Sequence, residues 1–135
     1  RNLIDADLLV AVARRAGGGV LEVGIGSAAQ STLLSRIFPT ISVDNDLRIL
    51  RAAGANVTRF GPALQVVAAD AFRLPFPGKS LGVSVSQGLL EHFDDDSIAA
   101  LLREQLRVCR SVVFSIPSDR YPRQDVGDEV GPQRP

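Results

Sequence analysis

Small and acidic residues follow the apolar segments of this chain at spacings that suit the binding of a ligand. Residues 20–29 form the segment VLEVGIGSAA, an apolar strand that runs into glycines and then into a helical pattern. Gly24 and Gly26 remove side chains that would block a ligand's approach. A helix that begins directly after them offers backbone N–H groups and a partial positive charge. The spacing fits the dinucleotide pattern G-x-G-x-x-G/A, and it is also typical of a tight strand-to-helix turn that needs small residues for packing.

An acidic residue follows the second apolar strand. Asp44 lies 20 positions after Gly24 and is followed by Asn45. In dinucleotide-binding folds an acid at this distance binds the ribose hydroxyls. The alternative is that Asp44 caps the next helix, a role that Asp46 could fill instead.

Polar residues also mark the ends of the third and fourth strands. Asp70 precedes the apolar residues Ala71 and Phe72, so the acid could bind an adenine edge while its neighbours pack against the ring; the alternative is a turn begun by the aspartate. Ser86 and Gln87 follow the fourth strand. The carboxyl ends of the strands are where open α/β sheets bind ligands.

The elements that must position these residues alternate along the chain. Apolar strands are predicted over residues 20–23, 40–43, 64–68, 81–85 and 111–116, and helices over 2–16, 27–38, 46–53 and 98–109. Strands that alternate with helices predict an α/β fold, a three-layer, doubly wound and mainly parallel sheet with helices on both faces. This Rossmann-like arrangement places all the candidate residues at one edge.

Four segments resemble the motifs of class I S-adenosylmethionine-dependent methyltransferases of the small-molecule type. Glu22 stands two places before the first glycine, as in their first motif, with Ala28 where the family often has glycine. The other three segments are SVD over residues 42–44, ADAFRLPF over 69–76 and LLEHF over 89–93. A nicotinamide-cofactor oxidoreductase would share the glycines and Asp44, but it would leave Glu22 and the last two segments unexplained.

The resemblance implies roles for these residues in binding S-adenosylmethionine. It places Glu22 near the methionine amino end, Gly24 and Gly26 along the methionine and ribose, Asp44 with Asn45 at the ribose, Asp70 and Ala71 at the adenine, and Ser86 and Gln87 near the sulfonium. It also implies the strand order 3-2-1-4-5. The family usually adds strands 6 and 7, for which the proline-rich residues 117–135 leave no room. We therefore expect a binding domain over residues 1–116, a loop or disordered tail over 117–135, and self-association through the edge of strand 5.

Residues outside these motifs offer little further chemistry. His92 is the only histidine and a weak candidate for a catalytic base. Cys109 is expected on the buried stripe of the last helix. Acidic residues 94–96 are expected to begin that helix rather than to bind a metal, because no further ligand cluster accompanies them.

Composition limits the partners of this chain. Lys+Arg and Asp+Glu are balanced at 15 each, so no basic excess points to nucleic acid or an anionic membrane. No apolar run approaches a membrane span, and a single cysteine fits a reducing, cytoplasmic setting. The chain begins at Arg1 and has no methionine, so we interpret it as a piece of a longer product or a chain whose start has been removed.

These observations favour one function over two others. The first is transfer of a methyl group from S-adenosylmethionine to a small-molecule acceptor, which needs neither a triad nor a metal because the donor is already activated. The second is a truncated or inactive domain that only binds the cofactor. A nicotinamide-cofactor oxidoreductase ranks below both.

Overall fold

The computed structural model describes residues 6–24, 33–51 and 64–115. The regular elements in these ranges are α1 (Ala6–Ala13), β1 (Val20–Val23), β2 (Thr40–Asp44), β3 (Leu64–Ala68), β4 (Leu81–Gln87), a 3₁₀ helix (Leu90–His92), α2 (Asp95–Val108) and β5 (Cys109–Ser115). Residues 33–35 and 47–51 are also helical. Gly26 and the predicted tail over residues 117–135 lie outside the described residues.

The five described strands form one parallel sheet in the order β3-β2-β1-β4-β5. This order confirms the prediction of a doubly wound, Rossmann-like sheet. The central strand β1 places Glu22 opposite Ser42 of β2 and Val85 of β4. The carboxyl ends of all the strands therefore meet at the same edge.

Successive side chains of a strand point to opposite faces of the sheet, so a mostly apolar strand has apolar side chains to bury on both faces. Helices cover each face. Val20 packs in one apolar cluster with Leu8 and Val12 of α1. The next residue, Leu21, packs in another cluster with Val108 at the end of α2. The sheet is thus the middle of three layers. No helix in the described part of the chain is long and apolar enough to cross a membrane.

The last helix begins earlier and ends sooner than the apolar pattern predicts. Asp94 caps it, because its side chain accepts a hydrogen bond from Ser97 N at 2.8 Å. This hydrogen bond lowers the pKa of Asp94. The expected place of Cys109 on a helix is wrong: it is the first residue of β5, where its extended backbone begins the strand, and it is buried.

Tight packing at the amino edge of the sheet fixes the start of β4. A Cβ on Gly82 would lie far inside van der Waals contact with the Gly17 carbonyl oxygen, and 2.9 Å from the carbonyl oxygen of Arg15. The Arg110 guanidinium also donates a hydrogen bond to the Gly17 carbonyl. The turn between α1 and β1 is therefore held against both β4 and β5, at the edge opposite the candidate site.

Candidate functional site

The candidate residues gather at the carboxyl edge of the sheet. Gly24 follows β1, Asp44 ends β2, Asp70 lies two residues after β3, and Gln87 ends β4. In open α/β sheets this edge is where ligands bind, at the point where the strand order reverses. Here that point lies between β1 and β4.

Glu22 is the buried carboxyl of this edge. It lies one residue before the end of β1, and only 4% of its surface is exposed. The hydroxyl of Ser42 donates a hydrogen bond to its Oε1 at 3.3 Å. Burial raises the pKa of Glu22 to about 8; the Ser42 hydrogen bond opposes the rise, and the nearby charge of Asp44 adds to it. Glu22 is therefore mostly protonated at neutral pH.

Gly24 makes the turn at the end of β1. Its φ of +83° lies in the left-handed region, which strains any residue with a side chain. Its N–H donates to the Val43 carbonyl at 2.9 Å. A Cβ added here would lie 3.6 Å from Cδ1 of Leu89, which comes from the segment after β4. Glycine is therefore required here by the backbone conformation of the turn. Leu89 lies beside this turn.

Asp44 and Asp46 each accept a hydrogen bond from a backbone N–H at the end of β2. Oδ1 of Asp44 accepts a hydrogen bond from Asp46 N at 2.9 Å, which holds the turn. Asp46 in turn accepts from Arg48 N at 2.9 Å, and so caps the helical residues that follow. The capping role that was open to either residue thus belongs to Asp46. Asp44 is half-buried and Asn45 is exposed at the edge.

The segment after β3 combines a turn with apolar residues. Oδ1 of Asp70 accepts a hydrogen bond from Phe72 N at 2.9 Å, so the aspartate begins a turn, which was the alternative to a contact with adenine. Ala71, together with Leu89 and Phe93 of the segment after β4, packs against one buried apolar cluster that includes Leu90 and Leu101. Phe72 is 40% exposed and meets Phe93 edge to face, with ring centroids 5.8 Å apart. The two segments therefore form one apolar wall beside Asp70.

Ser86 and Gln87 belong to β4 itself, because they pair with Phe114 and Ser115 of β5. The prediction that they follow the strand is wrong, since this pairing extends β4 to the edge. Ser86 is 1% exposed, and its hydroxyl has no hydrogen-bond partner among the described residues. A buried polar group left in this state costs about 1–3 kcal/mol. Gln87 is exposed.

His92 ends the 3₁₀ helix after β4 and lies at the surface. Its Nε2 is 3.8 Å from Oε2 of Glu91, and 68% of its side chain is exposed, against 32% for Glu91. Such an exposed pair adds little stability. The position gives His92 access to solvent, but it does not bring it against the buried residues of the edge.

The structure adds supporting residues that the sequence did not single out. Glu104 of α2 accepts a hydrogen bond from Leu74 N at 2.7 Å, and Arg107 donates to the carbonyl oxygens of Leu74 and Phe76. These contacts tie the proline-containing loop after β3 to α2. The i,i+3 pairing of Glu104 with Arg107 was visible in the sequence, but their contact with the loop was not.

A buried polar pair on the α2 face of the sheet was also missed. The Ser84 hydroxyl donates to Oε1 of Gln105 at 2.8 Å, and both side chains are fully buried. Nε2 of Gln105 has no partner among the described residues. The sequence signal for this pair was Gln105, a polar residue within the apolar stripe of the last helix. Among the described residues, no group of three or more His, Cys, Asp or Glu side chains could hold a metal ion.

Solved structures share this fold at low sequence identity. The phosphoethanolamine N-methyltransferase 1 of Haemonchus contortus, solved with phosphoethanolamine and S-adenosylhomocysteine, matches with a TM-score of 0.71 and 18% identity, covering 82% of this chain and 24% of that one. A SAM-dependent methyltransferase from Aquifex aeolicus gives 0.69 and 17%, covering 83% and 63%. The cyclase SpnF gives 0.68 and 17%, covering 82% and 44%.

This chain spans about half of the length of the first structures that it matches. No curated protein sequence matches it. The family described as "Methyltransferase domain" matches residues 20–111, a range that contains every candidate residue of the carboxyl edge and most of the sheet. The chain therefore belongs to the methyltransferase domain family.

Proposed function

We propose that this chain binds S-adenosylmethionine at the carboxyl edge of its sheet and serves the transfer of a methyl group to a small-molecule acceptor. The observation that carries the proposal is the gathering of Gly24, Asp44, Asp70 and Ser86 at that edge, within the residues that match the methyltransferase family. The acceptor is proposed to be small because the balanced charge of the chain does not favour a nucleic acid.

The chemistry of the edge fits this cofactor. The Ser86 hydroxyl is buried without a partner among the described residues, so a polar ligand atom would satisfy it. The turn at Gly24 carries no side chain into the space beside it. Ala71, Phe72 and Phe93 offer an apolar surface for a base. The edge thus has a polar part near Ser86 and an apolar part near Phe72, and S-adenosylmethionine has a polar amino-acid end and an aromatic end to match them.

Each end of the cofactor is assigned to its own residues. The methionine end lies by Glu22, Gly24 and Gly26, the ribose by Asp44 and Asn45, the adenine by Asp70 and Ala71, and the sulfonium by Ser86 and Gln87. The cofactor supplies an activated methyl group when bound. The chain's residues hold it in place, and the apolar wall of Ala71, Phe72 and Phe93 excludes water from one side. His92 is retained as a weak candidate to accept a proton from the acceptor.

Calorimetry with S-adenosylhomocysteine and with NAD tests the proposal. We expect S-adenosylhomocysteine to bind and NAD not to bind. Asp44→Ala should weaken binding by about 1–3 kcal/mol, because it removes the proposed hydrogen bonds to the ribose. Asp46→Ala is the matched control: it removes a neighbouring carboxylate that caps a helix and should leave affinity nearly unchanged. Binding of NAD alone would overturn the proposal, as would equal affinities of the two variants and the wild type.

A second candidate is a domain that binds the cofactor without transferring a methyl group. It is favoured by the likeness to the cyclase SpnF, which is named for a reaction other than methyl transfer. Binding of S-adenosylhomocysteine, with no methyl transfer to a panel of amines, thiols, phenols and carboxylates, would favour this candidate.

The setting proposed for the protein is the cytoplasm. Cys109 is a buried, unpaired thiol, and burial raises its pKa to about 12, so it is kept as an inert thiol. Self-association through the edge of β5 is proposed as well, because β5 ends the row of described strands. Light scattering tests this: a monomer at high concentration would contradict it.

A further inference from the structure

Glu22 stands out as the one carboxyl that the described residues bury. Its neighbours on the same face of the sheet are Ser42, directly opposite on β2, and Asp44, two residues further on. Glu22, Ser42 and Asp44 thus lie on one face of the sheet, close to the turn at Gly24 that follows β1. An ionised carboxylate in such a position normally has a cation or several hydrogen bonds.

The described elements packed against this face bring no basic group to Glu22. The apolar cluster on this face carries no charged group; its members include Leu8 and Val12 of α1, Ala16 after that helix, Leu34 of the helical residues 33–35, and Val83 and Val85 of β4. The charged group that acts on Glu22 is Asp44, a second acid, which also disfavours ionisation. Residues 25–32, which follow the turn, include no titratable side chain. Among the described residues, nothing therefore favours the ionised form of Glu22, and its raised pKa keeps it mostly protonated at neutral pH.

A ligand with a positive charge at the glycine turn would reverse this preference. The amino-acid end of S-adenosylmethionine carries an ammonium group. An opposite charge close to a carboxyl favours the ionised form, and it does so strongly where water is excluded. Resting on the proposed function, we propose that Glu22 releases its proton to solvent when such a ligand binds, so that a carboxylate faces the ligand's ammonium group. The ammonium group keeps its own protons, and one proton leaves the complex.

Proton release makes the affinity of the site depend on pH. The free protein holds Glu22 protonated below about pH 8, and the complex holds it ionised. In this range, affinity should rise by about tenfold for each pH unit, because one proton is released for each ligand bound. Above about pH 8 the free protein has already lost the proton, so affinity should level off.

The test measures protons released when S-adenosylhomocysteine binds. Calorimetry is carried out at pH 7 in two buffers with different ionisation enthalpies, on the full chain and on Glu22→Gln. The glutamine keeps the shape of the side chain but cannot ionise. The control ligand is 5′-methylthioadenosine, which has the adenosine part without the ammonium group. Infrared difference spectra of the wild type, recorded with and without ligand, give a second measurement: the carbonyl stretch of a protonated carboxyl should disappear on binding.

We expect close to one proton released by the wild type with S-adenosylhomocysteine, and close to none by Glu22→Gln or with the control ligand. Equal release by wild type and variant, or a flat affinity between pH 6 and 8, would overturn the inference while leaving the cofactor proposal standing. If Glu22→Gln does not fold, retention of the infrared band in the liganded wild type would overturn it. Failure of the wild type to bind S-adenosylhomocysteine would overturn the proposed function, and this inference with it.

Discussion

Replacing Glu22 by glutamine is expected to stabilise the unliganded protein, by an amount that grows with pH. Burial raises the pKa of Glu22 from an ordinary 4.5 to about 8 in the folded state. A carboxyl whose pKa is raised on folding contributes stability that is fully present below pH 4.5. That stability is lost as pH rises towards 8, because the unfolded chain ionises there and the folded chain does not.

The size of the effect follows from the shift. Each unit of pKa corresponds to about 1.4 kcal/mol, so the rise from 4.5 to about 8 gives a loss of about 5 kcal/mol in the wild type across this range. Glutamine has the same shape, has no proton to lose, and can still accept the hydrogen bond from Ser42. The stability gap between variant and wild type should therefore be smallest near pH 4.5 and widen until pH 8. Marginally stable domains have only about 5–15 kcal/mol to lose, so the change is large enough to measure.

Urea unfolding between pH 5 and 8.5 tests this, with the free energy of unfolding extrapolated to water at each pH. Glu104→Gln is the matched control from the same residue type. Arg107 holds the pKa of Glu104 below its usual value of about 4.5, so the stability that Glu104 contributes is lost only as pH falls below that value. Between pH 5 and 8.5 the gap between Glu104→Gln and wild type should therefore stay constant. A gap between Glu22→Gln and wild type that stays constant with pH would show that Glu22 ionises normally in the folded state and would refute the reasoning.

Three further outcomes follow from the packing. Gly82→Ala should cost about 3 kcal/mol or more in thermal unfolding, because its Cβ meets the Gly17 carbonyl, whereas Gly17→Ala meets nothing within 4 Å and should be mild. Asp94→Ala should cost about 1 kcal/mol through loss of the helix cap, and the first-turn Asp95→Ala much less; equal losses would contradict the cap. Ser86→Ala should leave stability unchanged or raise it by about 1 kcal/mol, since the hydroxyl is unpaired, yet should weaken S-adenosylhomocysteine binding in calorimetry; unchanged affinity would remove Ser86 from the site.

The sequence predicts the sheet well because its central strands, β1 and β4, are buried on both faces. Mostly apolar segments give residues 20–23 and 64–68 with the bounds that the structure has, although each includes one polar residue, Glu22 or Gln65. Element ends are less predictable where another element decides them. β4 runs on to Gln87 because β5 pairs with it, and α2 begins at Asp95 because Asp94 caps it, three residues before the first apolar residue of the stripe.

The features of the candidate site also fall into those that the sequence predicts and those that it does not. Glycines and acids at strand ends are local patterns, so Gly24, Asp44 and Asp70 are placed at the predicted edge. Contacts between distant segments leave no local pattern. The meeting of Phe72 with Phe93, 21 positions apart, depends on how the segments after β3 and β4 fold towards each other. The unpaired hydroxyl of Ser86 likewise becomes visible only when its surroundings are known.

Polar groups at the amino edge of the sheet have hydrogen-bond partners, whereas two buried polar groups at the carboxyl edge are less well satisfied. This difference supports a ligand site at the carboxyl edge. At the amino edge, the Gly17 carbonyl receives a hydrogen bond from Arg110 and packs against Gly82. At the carboxyl edge, Glu22 is buried against a second acid, and Ser86 has no partner among the described residues. Both features lower the stability of the unliganded protein, and both would be relieved by a ligand that carries a cation and a polar atom. Strain and unpaired groups that a fold retains at one place are a reason to infer binding there. A stability gain on ligand addition that vanishes when Glu22 and Ser86 are both replaced would establish that these two residues are where the ligand's binding energy is realised.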